Sequence, residues 1–162
     1  MSDDARFEDG AEHPLNLGAM DAEDLTVLSA LAQDAVFPAT EMLWRRSEGR
    51  FAILLNRFRW EDEDRARHGA ERVQSVLVVD NVTAVASQGF TRGNNDAILS
   101  LLAIEFTPQD GTPGGDVVLT LAGDGAIRLT VEAIELRLRD VTRPYRAPSG
   151  KAPGHTDDQT DN

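Results

Sequence analysis

Two arginines and a tryptophan, Arg57, Arg59 and Trp60, stand where the apolar run Phe51–Phe58 gives out, with Asn56 inside its end. A guanidinium can bind a carboxylate or phosphate through two parallel hydrogen bonds, and it also stacks on an aromatic ring. Arg57 and Arg59 share one parity of a strand, so both can grip a single anion. Trp60 has the other parity and joins them only if the strand twists or ends by residue 59. The loop Gly89–Asp96 is a second candidate, carrying Phe90, Arg92, Asn94 and Asn95. Glu105 is a third. It closes an apolar strand, where desolvation would raise its pKa. Its outward parity, shared with Thr120 and Arg128, predicts instead a solvated sheet face with loose charge pairing.

Other chemistries find no support. The histidines, His13, His68 and His155, fall in an expected tail, a loop and a second tail. A metal site or histidine-based triad needs packed supporting partners, so no metal, cofactor or catalytic residue is expected. No cysteine occurs, which rules out disulfides and thiolate chemistry. G-x-S-x-G, phosphate-loop and dinucleotide motifs are all missing. Gly111–Gly115 and Gly123–Gly125 read as turn glycines.

The net charge is −12, but it is uneven. Residues 1–12 and 149–162 hold eight of the 28 acids and only two of the 16 bases, leaving −6 for the body. That balance speaks against a nucleic-acid or anionic-membrane partner. Fifteen of the 16 bases are arginine, which GC-rich coding explains. The acidic, polar N-terminal stretch and the lack of a long apolar run predict a cytoplasmic protein.

The elements that must position the candidates follow from periodicity. Residues 1–12 and 147–162 are expected to be disordered, with a single domain over 13–146. Leu15–Leu17 reads as a short strand. A helix runs from Asp21 to about Ala32, with Asp21 as cap, Asp24 completing a capping box, and Met20 stapled on Leu25. A short strand at Ala35–Phe37 is followed by Glu41–Arg46 and Arg50–Arg59, turned at Glu48-Gly49 so that Trp44 faces Ile53. Trp60–Glu71 is a charged loop. Val73–Val79 and Val82–Ser87 flank Asp80-Asn81, a hairpin turn or a bulge. Ile98–Phe106, Val117–Ala122 and Ala126–Glu132 form a meander. A Gly123–Gly125 loop sets Leu121 on Ile127, with Gly125 at positive φ. Leu102 is expected in the core. Ala133–Asp140 suits a helix through Ile134, Leu138 and Val141, or a strand through Ile134, Leu136 and Leu138.

Four segments carry a resemblance: Leu17–Ala35, Arg50–Glu61 (FAILLNRFRWE), Asp96–Phe106 (DAILSLLAIEF) and Gly123–Glu135 (GDGAIRLTVEAIE). Over roughly 15–145 the chain resembles an uncharacterised alphaproteobacterial family, domain of unknown function 2948. The resemblance implies a bacterial cytoplasmic protein, an arginine-rich loop after the Trp-Glu pair, and no particular activity. Here four acids, Glu61–Asp64, dilute that loop.

The expected fold is α+β and antiparallel, with eight or nine strands and one N-terminal helix. The element order matches a pleckstrin-homology-like roll, by analogy only; an open two-layer sheet under the helix is the alternative. The expected function is a non-catalytic binding or regulatory module for a protein partner or self-association. The alternative is a small-molecule anion-binding protein or small enzyme using arginines and a carboxylate.

Overall fold

The computed structural model describes residues 13–62, 71–90 and 97–146. Both expected tails, part of the charged loop, and Arg92, Asn94 and Asn95 lie outside the described residues. The helix forms where its cap signals place it. Helix α1, Ala22–Ala32, starts behind Asp21, whose side chain accepts the Asp24 N–H at 2.8 Å. Glu23 and Asp24 sit favourably at the positive end of its dipole. Leu25, Leu28 and Ala32 face the core, with Leu31 packed beside them. Met20 is 70% exposed, so the expected staple is not made.

Eleven strands are described: β1 Asn16–Ala19, β2 Val36–Pro38, β3 Met42–Arg45, β4 Arg50–Phe58, β5 Glu71–Val79, β6 Val82–Gln88, β7 Ile98–Pro108, β8 Gly115–Leu121, β9 Ala126–Val131, β10 Leu136–Asp140 and β11 Tyr145–Arg146. All pairings among the described strands are antiparallel, which makes an α+β fold of one described α-helix and one large sheet. The two strands beyond the expected nine are β10 and β11. Alternation won over helical spacing at β10 because Leu136 and Leu138 enter the core between β1 and β5, while Val141 stays exposed. The expected roll ended in a helix; here the last described elements are strands, so that analogy loses its final element.

The strand order is β1-β10-β5-β4-β2-β7-β8-β9-β6, with β3 on β4 and β11 on β5. Asp80-Asn81 is neither hairpin nor bulge. It is a corner, with Asn81 at φ 64°, that carries the chain from β5 to β6 at the far end of the order. The sheet therefore curls into two layers around one core, the first holding β1, β10, β5, β4 and β3 and the second β7, β8, β9 and β6. The return connection lies alongside, since Glu132 N donates to Asn81 O and Asp80 N to Glu135 O. Helix α1 packs on the core side, where Ser29 Oγ accepts the Ile104 N–H at 2.9 Å.

Two expected hairpin registers are each displaced by two residues. Trp44 faces Phe51 rather than Ile53, and Leu119 rather than Leu121 faces Ile127. A shift of two keeps every side chain on its expected face. In the second hairpin Gly123 and Asp124, not Gly125, take positive φ. Strand β7 is apolar on both parities because a bulge between Leu101 and Ala103 exchanges its faces. Leu101 and Ile104 are buried, whereas Leu102 is half-buried and Ile98 exposed.

Candidate functional site

The end of β4 carries the polar cluster. Phe51, Ile53 and Leu55 occupy its core parity, and Arg57 is the next residue on it. A buried guanidinium is tolerated only with counter-charges and full hydrogen bonding. Both are present. Glu61 forks onto Nη1 and Nη2 at 2.9 and 2.7 Å. Asp140 takes Nε and Nη2, each at 3.1 Å. The carbonyls of Leu31 and Phe58 accept from Nη1 at 3.4 and 3.3 Å. Burial opposes the charge of Arg57, but Glu61 and Asp140 outweigh it and hold the guanidinium above its ordinary pKa. Burial likewise opposes the charge on Glu61, yet Arg57 holds that carboxyl below its ordinary value.

Asp140 is a junction. Besides Arg57 it accepts Ser75 Oγ at 2.7 Å and the Leu15 N–H at 2.9 Å. One carboxylate thus joins β4, β5 and β10 to the residue leading into β1.

Arg59 is buried by a different route. Its backbone N–H reaches Glu71 O at 3.0 Å, and its Nη1 reaches Glu71 Oε1 at 2.6 Å and Asp62 Oδ2 at 3.6 Å. Its Nε lies 3.9 Å from Glu61 Oε2. The two arginines do share an anion, and that anion is the chain's own Glu61.

Trp60 is half-buried, with its ring edge-on to Phe58 at 4.7 Å and its indole N–H on Gln33 O at 2.9 Å. Together Arg57 and Trp60 serve the C-terminal end of α1, whose last turn contains no basic residue. The orphan carbonyls and negative dipole end receive a cation and a donor from β4 instead.

The remaining candidates do not converge here. Asn56 faces outward, donating to Tyr145 Oη and accepting from Arg72 Nη1 at 3.4 Å. Phe90 packs against the core edge. Glu105 is exposed on the second layer, in a row with Val118 and Arg128 rather than with Thr130 as the expected register had it. Among the described residues no hydrogen bond or ion pair links Glu105 to Arg57 or Arg59, and no group of His, Cys, Asp and Glu is arranged to hold a metal.

Sequence reasoning missed Ser75 and Asp140. The signal was there: Ser75 interrupts Val73, Leu77 and Val79, and Asp140 continues Leu136 and Leu138. Three polar residues on three apolar parities point into one core and meet.

A family model described as a protein of unknown function, DUF2948, matches residues 15–155. The chain belongs to the DUF2948 family. That match spans every described strand and the whole arginine network, so the network lies within the family domain. No curated relative and no solved structure matches. No described helix is long and apolar enough to cross a membrane.

Proposed function

We propose that this DUF2948 chain is a non-catalytic binding or regulatory module, acting in the cytoplasm, that receives a protein partner or a second copy on the outward face of its first layer (β1, β10, β5, β4, β3). One contrast between the layers supports this. An antiparallel sheet with one solvated face normally alternates apolar-in with polar-out. The second layer does so except at Val118, with Glu105, Asp116, Thr120, Arg128 and Thr130 outward around it. The first does not: Leu43, Ala52, Leu54, Val76 and Val78 point away from the core, and Leu43 is 48% exposed. A contiguous outward apolar patch marks an interaction surface. The arginines of the buried network are already neutralised by carboxylates, which leaves this face as the better candidate.

A photo-crosslinking amino acid in place of Val76 tests the reading in cell extract. We expect an adduct of defined mass, lost on Leu54→Asp and missing when the same probe replaces Val118. No adduct at Val76, or an equal one at Val118, rejects the proposal.

A further inference from the structure

Two cross-strand rows run over the outward face of the first layer. One is Leu43–Ala52–Val78–Arg137, the other Leu54–Val76–Arg139. Each is apolar up to an exposed arginine on β10, beyond which β1 adds Gly18 to the first row and Asn16 to the second. Arg137 donates to a neutral acceptor, Asn16 Oδ1, at 2.8 Å. Arg139 forms no ion pair among the described residues. Arg72 lies on the same face and donates to Asn56 O at 3.2 Å, with the Asp34 carboxylate near enough to act on its charge. No carboxylate falls on either row, and Asp80 at the end of β5 is taken up by Arg50 at 2.8 Å. In a chain of net charge −12, this face is positive.

We infer that the occupant of this face is an acidic protein segment carrying apolar side chains. The inference rests on reading the face as a docking surface and names what docks. The apolar rows would bury aliphatic or aromatic side chains, while Arg137, Arg139 and Arg72 would meet carboxylates at the rim, where charge sets selectivity and encounter rate. A second copy presenting the same face would oppose arginine to arginine, which disfavours a face-to-face dimer. An anionic membrane would meet the arginines but be repelled by the acidic remainder of the chain.

Fluorescence anisotropy with the full chain tests this, using a labelled peptide of about ten residues alternating glutamate and valine, long enough to cross the strands of the layer. Lysine–valine and glutamate–serine peptides are the controls. The glutamate–valine peptide should bind best, weaken with salt, and lose roughly ten-fold in affinity in the Arg137→Glu/Arg139→Glu variant with its melting temperature kept. Equal binding of the lysine–valine peptide, blocked by Leu54→Asp, would keep the docking face and overturn its acidic occupant. Binding of none of the peptides overturns the inference, and joined to a failed Val76 crosslink it removes the docking face too. Preference for phosphatidylserine vesicles over the peptide would overturn it in favour of a membrane. Binding seen only after removal of residues 1–12 would assign the face to the chain's own acidic segment and overturn the partner.

Discussion

Arg57 Nη2 lies 3.0 Å from Asp140 Oδ1, with both side chains buried and the two residues 83 positions apart in sequence. Removing Arg57 strands the Asp140 carboxylate, and removing Asp140 leaves the buried guanidinium with Glu61 as its one counter-charge; breaking a buried pair in this way typically costs about 3–5 kcal/mol. Arg57→Leu and Asp140→Leu should each lose stability on that scale in urea melts. The double substitution should lose less than the sum of the two, because each single change strands the other group. Strict additivity would mean that the two groups do not depend on each other.

Acid should act through Glu61. Arg57 holds its folded pKa below the ordinary 4.5 despite the opposing effect of burial. A depressed carboxyl contributes stability that is complete above the unfolded value and is lost as pH falls through the folded one. The melting-temperature gap between the parent and Glu61→Gln should therefore be widest at neutral pH and narrow as pH drops below about 4.5. A gap that stays constant down the acid limb would remove Glu61 from the account.

The bulge in β7 separates two adjacent leucines. Leu101 is fully buried and Leu102 half-buried. Leu101→Ala should cost about 2–5 kcal/mol, the range for an emptied leucine site, and Leu102→Ala distinctly less. Reversed urea-melt values would place the bulge elsewhere.

Gly123 and Gly125 separate backbone strain from ordinary contact. Gly123 has φ 82° with open space around an added Cβ, so alanine there adds strain of about 1 kcal/mol without a clash. At Gly125 an added Cβ meets Gln88 O and Leu121 Cδ1 at 3.4 Å, a contact that fits, on a backbone without positive φ. Gly123→Ala should lower the melting temperature more than Gly125→Ala.

Parity was the most legible property of this chain, and register the least. The outward or inward side of Trp44, Leu119 and Ile127 follows from alternation alone, but a two-residue slip leaves alternation unchanged. Only the loop, with positive φ at Gly49 in one hairpin and at Gly123 and Asp124 in the other, decides the pairing. The candidate site was legible as a position and not as an arrangement. Arg57 announces itself at the end of an apolar parity, yet its partner Asp140 lies on a strand that Ile134, Leu138 and Val141 equally allow as a helix. Local spacing cannot choose between them. Pairing of β10 between β1 and β5 does.

That insertion also constrains the order of events in folding. The β3–β4 and β8–β9 hairpins join neighbours in sequence and can form early, as soon as their loops close. Strand β1, by contrast, precedes the other described strands in sequence and among them pairs with β10 alone, where Asn16 meets Arg139. During synthesis the first strand, the helix and Arg57 must all wait for residues 136–140 before the core can seal. A chain stopped short of β10 would hold a buried guanidinium with one of its two counter-charges and a first strand with nothing to pair. Docking of β10 should then be the slow step in folding, with a rate that falls with substitutions in β10 far more than with those in either hairpin.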